Sequence, residues 1–336
     1  MAKATKPKEG EDTQLQETMD RLNKLFGAGS IISGNQKSLD IKTVSTGSLK
    51  VDAITGVGGL PYGRIVEIYG PESSGKTTMC IHVMANAQKD LTDTRKVALI
   101  DMEHSIEPNY LLALGVDTEE LILSQPPYGE AALEIADQLI KSGKVKVVVV
   151  DSIAALVPKA ELDGETGEQR PGLQARMMGQ GCRKLSPGVE HNNVLLIFTN
   201  QIREKIGVMY GNPETLPAGN AMKFYASMRI DIRKSVTAAE KEKEVNKTTV
   251  KIVKSKVSKP FGQCVTEIEW GKGFSRVAEI LDIAEEYKVF EKSGSHYSYN
   301  GAKLANGREA MLQLLKDNVE MADEIEQKVL TLIKGE

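Results

Sequence analysis

Along the chain, short β-branched runs alternate with segments whose apolar residues recur every three or four positions. The first such segment is helical. Leu15, Met19, Leu22 and Phe26 share one stripe, and Gly27 stands where a C-cap would. They predict one amphipathic helix of about three turns, after polar residues 1–12 that are expected to be disordered. Its stripe needs a surface to pack on, either this chain's own core or a neighbouring subunit. Residues 41–65 hold short strand-like runs (Ile41–Val44 and Thr46–Leu49) and glycine turns (Gly56–Arg64). From Ile65 the alternation becomes regular. Apolar runs at Ile65–Gly70, Val97–Ile100, Leu121–Ser124, Val145–Val150 and Asn193–Thr199 read as strands. Helical spacing separates them, following Gly75 to about Gln88, then at Pro108–Leu114, Gly129–Lys141 and Arg176–Leu185. This order predicts an α/β fold with a mainly parallel, twisted sheet covered on both faces.

Near Phe224 the pattern changes. Phe224–Arg233, Thr248–Lys254 and Val265–Trp270 alternate like strands, with a Lys/Glu-rich connection at 238–247. They predict an antiparallel extension of the sheet. From Arg276 the chain reads as helical with one hairpin-like piece at His296–Gly301, which suggests a small α+β C-terminal domain. The expected organisation is an N-terminal arm at 1–40, a core at 41–275 and a C-terminal domain at 276–336.

The Ile65–Gly70 run ends in Gly70-Pro71-Glu72-Ser73-Ser74-Gly75-Lys76-Thr77-Thr78, the Gly-x-x-x-x-Gly-Lys-Thr spacing of a phosphate-binding loop between strand and helix. The glycines let successive N–H groups turn inward, and the following helix adds the positive end of its dipole. Lys76 has the reach for β- and γ-phosphates, and the Thr77 hydroxyl is a Mg²⁺ ligand. Asp151, at the end of the Val147–Val150 run, is the acidic strand end that such a site needs beside Mg²⁺; a carboxylate capping the next turn is the plainer alternative. Glu103, just past the Val97–Ile100 strand, is the candidate general base, with Asp101 and His104 as neighbours that could be structural. Gln201 follows another strand and can sense a γ-phosphate; an ordinary turn residue is the alternative. The chain beyond it, Ile202–Gly219, is long and carries Arg203 and Lys205, and Glu161–Gly172 is a second glycine-rich loop.

Composition narrows the setting. Of the 336 residues 40% are hydrophobic and 26% charged, and the net charge is −3, so any nucleic-acid site must be local. The three cysteines are widely spaced and lack metal-ligand spacing, which suits a reducing compartment. Neither a secretion signal nor an 18-residue apolar run is present, and a cytoplasmic location without membrane contact is expected.

Ser45–Leu49, Gly58–Thr78, Arg176-Met-Met178, Ile206-Gly207-Val208-Met209-Tyr210-Gly211-Asn212-Pro213-Glu214-Thr215 and Gly219–Ser227 together resemble RecA-type homologous recombinases, over about residues 13–335. The resemblance implies a RecA-like P-loop ATPase core using ATP and Mg²⁺, with an N-terminal helix–strand arm for oligomerisation. It implies filaments on single-stranded DNA that pair with homologous duplex DNA. It implies that Glu103 activates water, that Tyr110 stacks on adenine with Glu107 near it, and that Gln201 couples the phosphate to the DNA loop. Glu161–Gly172 and Ile202–Gly219 correspond to the two DNA loops. Arg176, Arg183, Arg203 and Lys205, with Ile206, Gly207, Val208, Met209, Asn212 and Gly219, would contact DNA. Lys254 and Lys256 would reach the ATP of the adjacent subunit, Phe224 would lie at that interface, and the C-terminal domain would face duplex DNA. An SOS-type repressor and loader or mediator proteins join the candidate partners.

The sequence departs from the family pattern at several places. Arg170-Pro171 stands where an apolar Met usually precedes Gly172, Tyr210 replaces Phe, and Ala218 replaces a glycine. Thr249 stands at a frequent Arg of the secondary DNA site, with Arg233, Lys247 and Lys251 as basic residues that could compensate. The end at Lys334-Gly335-Glu336 lacks a long acidic tail, which predicts weaker autoinhibition. The competing reading is a ring-forming helicase-like or regulatory ATPase on the same core. It predicts different loop sequences, and a non-catalytic paralogue would lack Lys76, Glu103 or Asp151.

Overall fold

The computed structural model describes residues 9–26, 31, 41–165, 172–204, 211, 213–218, 220–234 and 245–334. The chain divides into two units, residues 1–41 and 42–336. In the first, helix α1 spans Glu9–Phe26. It starts earlier than the apolar stripe predicted, because extending a nucleated helix costs little, so residues 9–12 are helical rather than disordered. Asn23 and Ile31 exchange two hydrogen bonds of 2.9 Å, side chain to backbone, which brings the chain back beside the helix. Leu15, on the apolar stripe, is exposed.

The second unit is built on a nine-stranded sheet. Its strands, in chain order, are β1 (Ile65–Gly70), β2 (Lys96–Asp101), β3 (Leu121–Ser124), β4 (Val145–Asp151), β5 (Leu195–Gln201), β6 (Met228–Lys234), β7 (Val245–Ser255), β8 (Gln263–Glu269) and β9 (Gly273–Phe274). Across the sheet they lie in the order β9-β8-β7-β6-β1-β5-β4-β2-β3. Among the described residues, its α-helices longer than four residues are α2 (Leu49–Thr55), α3 (Lys76–Lys89), α4 (Pro108–Ala113), α5 (Gly129–Lys141), α6 (Leu173–His191), α7 (Ala221–Tyr225), α8 (Arg276–Glu286), α9 (Arg308–Asp317) and α10 (Val319–Lys334).

The pairing of β3, β2, β4, β5, β1 and β6 is parallel, and that of β6 with β7, β7 with β8 and β8 with β9 is antiparallel. The antiparallel extension therefore starts one strand later than expected. Phe224 does not begin a strand either. Residues Ala221–Tyr225 form a helical turn because Met222 and Ala226 are buried in the core, with Met222 Sδ 3.8 Å from Cys182 of α6. Both faces of the central strands are apolar and covered. One packs on α3 through Val66, Ile68, Val147 and Val149, the other on α5 and α6 through Val148, Val150 and Leu196. Each buried side chain of this kind contributes roughly 1.5–3 kcal/mol of transfer free energy.

Three further expectations shift. The stretch read as strand-like at Thr46–Leu49 is the entrance to α2. Ser48 caps that helix by accepting from Val51 N at 3.1 Å, and Asp52 accepts from Thr46 N at 2.8 Å. Helix α6 runs well beyond Arg176–Leu185 at both ends and contains Pro187. Strand β5 starts and ends two residues later than read, which makes Gln201 its last residue.

The C-terminal segment has its own core around Phe290, Tyr297, Ile325 and Val329, which also takes in Leu49 of α2. It is fastened to the sheet by Glu279 of α8, a buried carboxylate that accepts from Leu49 N at 2.7 Å and from the Ser48 and Thr266 hydroxyls. Burial pushes the Glu279 carboxyl up, and these donors oppose the shift.

Candidate nucleotide site and DNA-facing loops

β1 delivers the phosphate-binding loop from the centre of the sheet. Gly70 is required by contact: a Cβ there would lie 2.0 Å from the Ile232 carbonyl oxygen of β6. Gly75 caps α3 at φ 101°, and a Cβ there would meet Ile268 at 2.4 Å. Between them Ser74 Oγ is buried and has no hydrogen-bond partner among the described residues, in a loop of the kind that holds phosphate oxygens. Lys76 Nζ donates to the carbonyls of Gly70 (3.2 Å) and Pro71 (2.7 Å), and burial pulls its pKa down. A desolvated ammonium resting on two neutral carbonyls gains by exchanging them for a phosphate anion. An orphaned hydroxyl and a partly compensated cation in one loop therefore fit a nucleoside triphosphate.

Thr77 Oγ1 donates to Asp151 Oδ2 at 2.7 Å, and Thr199 Oγ1 donates to Asp151 Oδ1 at 2.6 Å. Burial raises the Asp151 pKa, against these two hydrogen bonds. Adjacent oxygens around octahedral Mg²⁺ stand about 3 Å apart, so the Thr77–Asp151 pair is close to the spacing of such ligands.

Parallel pairing of β2, β4 and β5 brings three strand ends together beside this loop. Glu103 Oε1 accepts from Gln201 Nε2 at 2.9 Å and from Ser152 Oγ at 2.5 Å. Asp101 is structural: fully buried, it accepts from Glu103 N (3.1 Å), Ile106 N (3.3 Å) and Gln125 Nε2 (3.1 Å), fixing the turn that carries Glu103. His104 is exposed in that turn at φ 52°.

Tyr110 on α4 and Thr78 share a hydrogen bond of 2.8 Å between hydroxyls. Both line a cleft of about 170 Å³ beside the loop. Its far wall comes from β7 and β8, with Asn246, Thr248, Ile268, Glu269 and the exposed Trp270. Sequence reasoning missed this wall. A solitary Trp before a glycine, just past a strand, was the available signal, but only strand register places it here. Glu107 caps α4 with its backbone and is exposed.

Lys254 and Lys256 lie elsewhere. Lys254 sits opposite Arg229, itself opposite Glu67, three residues upstream of Gly70. Because β7 runs antiparallel to β6, Thr248 is at the nucleotide end and Lys254 is about 20 Å further along. There Lys254 Nζ donates to Lys223 O at 2.5 Å and Lys256 Nζ to Phe224 O at 3.2 Å. Phe224 projects outward, 72% exposed. The two lysines and Phe224, far apart in sequence, thus form one patch at the end of the sheet opposite the chain's own phosphate loop.

Among the DNA candidates, Arg176 and Arg183 are exposed on α6. Seven residues apart, they share one stripe with a spacing of about 10 Å. Gln174 Nε2 ties the start of α6 to Ile153 O (2.8 Å) and Leu156 O (3.1 Å), just beyond Asp151. Arg203 is exposed in a two-residue strand that pairs Arg203 with Thr215 and Glu204 with Glu214, closing the base of the second loop. Ile202 N donates to Gly70 O at 3.3 Å, so this base is joined to the phosphate loop. Arg233 of β6 holds Glu214 with two hydrogen bonds of 2.7 Å and also binds Asp231. It sits opposite Thr249 but is engaged in fastening this loop, which argues against its serving as a replacement DNA contact. Ala218 is buried at φ 65°, a conformation a glycine holds with less strain. Lys205, Ile206, Gly207, Val208, Met209, Asn212 and Gly219 lie outside the described residues, as do Arg170, Pro171 and most of the Lys/Glu-rich connection.

No helix among the described residues is long and apolar enough to cross a membrane. Two family models match the chain, the RecA N-terminal domain over residues 13–275 and the RecA C-terminal domain over residues 278–334. Similar proteins include Protein RecA of Clostridioides difficile, 49% identical over 94% of this chain and 90% of that protein. Protein RecA of Rhodospirillum rubrum is 51% identical over 94% of this chain and 86% of its own length. Protein RecA of Halalkalibacterium halodurans is 49% identical with coverages of 94% and 90%. With the phosphate loop, the joined strand ends and matches over nearly the whole length, the chain belongs to the RecA family of recombinases, DNA-dependent ATPases that bind nucleotide and self-associate as filaments on DNA.

Proposed function

We propose that the RecA reaction runs here through a site shared between subunits, with Glu103 as general base and Gln201 as the link between ATP and DNA. The observation that carries this reading is the hydrogen bond from Gln201 to Glu103, because Gln201 is also the residue from which the second DNA loop departs. Residues Gly70–Thr78 bind the triphosphate, Thr77 and Asp151 hold Mg²⁺, which polarises the phosphates when bound, and Tyr110 with Glu107 takes the adenine. With a γ-phosphate present, Gln201 exchanges its bond to Glu103 for one to phosphate. This frees the carboxylate to accept a proton from water and moves the start of the loop.

Lys254 and Lys256 serve the neighbour's ATP, with Phe224 beside them at the subunit boundary. Their position at the opposite end of the sheet supports this assignment, since reaching the chain's own phosphates would require spanning the sheet. Residues 1–40 act as the polymerisation arm, residues 276–336 as a domain facing duplex DNA, and Arg176, Arg183, Arg203 and the 205–219 loop hold single-stranded DNA through phosphate contacts. The site of action is cytoplasmic, with repressor and mediator proteins as further partners.

The decisive experiment is joint-molecule formation between single-stranded DNA and homologous duplex with ATP and Mg²⁺. The expected result is joint molecules together with ATP hydrolysis stimulated by single-stranded DNA. Hydrolysis indifferent to DNA, with no joint molecules, would reject the reading.

A further inference from the structure

The nucleotide cleft is lined by the ATPase core, but its outer wall is tied to the C-terminal segment. Its far wall is the end of β8, where Ile268, Glu269 and Trp270 line the opening. The two carboxylates flanking Ile268 are both gripped by α9 of the C-terminal segment. Arg308, its first residue, bonds Glu267 at 3.2 Å, and Lys316, near its end, donates to Glu269 Oε1 at 3.2 Å. Glu269 also accepts from Ser275 Oγ at 2.7 Å, and Lys272 stands 3.6 Å away. Burial pushes the Glu269 carboxyl up, yet the hydrogen bonds from Ser275 and Lys316 outweigh this and hold it below the usual glutamate range.

The turn after Glu269 reaches the phosphate-loop helix as well. Phe274 N donates to His82 Nε2 of α3 at 3.1 Å, and a Cβ on Gly273 would lie 1.9 Å from that nitrogen. One short segment, 267–275, therefore touches α9, the cleft and α3 together.

We infer that α9 braces the outer wall of the nucleotide cleft, with the Lys316–Glu269 contact as a positioning pair that sets how tightly ATP is held. The inference rests on the cleft being the nucleotide site. Lys316 is 43% exposed and Glu269 15%, so the contact is a modest one, able to yield when α9 moves. Releasing it lets the wall move outward, and ATP dissociates faster.

Trp270 is the only tryptophan of the chain and sits on this wall, so its fluorescence reports the cleft directly. ATP with Mg²⁺ would be titrated into wild type, Lys316→Ala, Glu269→Gln, the double variant and Lys316→Arg, with melting temperatures as a folding control. The expected result is ATP affinity lowered about two- to fivefold by either single change, the range of an exposed ion pair. The double variant should be no worse than either single variant, and the arginine should restore most of the loss. In Lys316→Ala, KM for ATP should rise while kcat with saturating single-stranded DNA holds. Equal ATP affinity in wild type and Lys316→Ala, or fully additive single effects, would overturn the brace. A wild-type chain that binds no ATP would overturn the nucleotide-site reading itself, and the brace with it.

Discussion

Gln201 Nε2 donates to Glu103 Oε1 at 2.9 Å, joining the ends of two parallel strands that are not neighbours in the sheet. Ser152, just past the strand between them, holds the same carboxylate oxygen. A glutamate that keeps one oxygen in such bonds is positioned, but that oxygen is not available as a base. Glu103→Gln is expected to keep ATP and DNA binding and to lower turnover about a hundredfold or more. Gln201→Ala should instead leave DNA affinity unchanged by ATP. Phosphate release and DNA binding at matched salt, with and without ATP, check the pair. Rapid turnover by Glu103→Gln would remove it from the role.

In the proposed site, triphosphate binding turns on Lys76. Its Nζ rests on two loop carbonyls inside a desolvated site, so Lys76→Ala removes the charge-assisted contacts to phosphate. Binding of labelled ATP is expected to fall below detection while the fold holds, read by calorimetry and circular dichroism. Hydrolysis at the wild-type rate would contradict the assignment.

The lysine patch predicts complementation. Lys76→Ala subunits keep intact Lys254 and Lys256, and Lys254→Ala/Lys256→Ala subunits keep an intact phosphate loop. Each alone should be inactive. Mixed on single-stranded DNA, they should regain a measurable fraction of hydrolysis, because some boundaries then combine a sound loop with sound lysines. A mixture as inactive as its parts would place the lysines outside the shared site.

The Glu67–Arg229 pair is a matter of stability. Arg229 Nε lies 2.5 Å from Glu67 Oε2, the carboxylate is fully buried, Asn200 donates to its other oxygen at 3.0 Å, and Arg229 stacks over Tyr69 at 4.9 Å. Removing the arginine alone leaves a buried charge, so Arg229→Met should destabilise the chain by about 3–5 kcal/mol. Glu67→Gln/Arg229→Met should recover part of that. Denaturant midpoints measure both, and a loss below about 1 kcal/mol would show that Glu67 finds other compensation.

His82 sets an acid limit. Burial chiefly, with Lys89 adding, holds its pKa down to about 4 against an ordinary 6.5, and its ring accepts from Phe274 N inside the fold. The unfolded chain takes up the proton more readily. The His82 contribution is therefore complete above about pH 6.5 and lost as pH falls towards 4, about 3 kcal/mol in all. Unfolding at pH 7 and pH 4.5 should show the loss, and His82→Gln should flatten it. The same pH dependence in that variant would assign the loss to other groups.

The strands and helices of the ATPase core were legible because burial on both faces of a parallel sheet demands unbroken apolar runs, as at Val147–Val150, and phosphate binding demands glycines at fixed spacing. Family resemblance implied the roles proposed for Tyr110, Lys254 and Lys256, which periodicity does not carry. The misread stretches, Thr46–Leu49 and Phe224, are short. At that length a cap or a buried Met222 decides between helix and strand, and no period of 2 or 3.6 is established.

The sequence by itself determined that this chain folds as a P-loop ATPase, since Gly70, Gly75, Lys76 and Thr77 are tied to one another by local backbone geometry. It also identified Asp151, Glu103 and Gln201 as strand-end residues. Only the tertiary structure decided that Gln201 meets Glu103, that Trp270 and Asn246 close the cleft, and that Lys254 lies at the far end of the sheet from its own phosphate loop. Those relations depend on strand order and register, which come from packing between residues distant in the chain, and no local pattern records them.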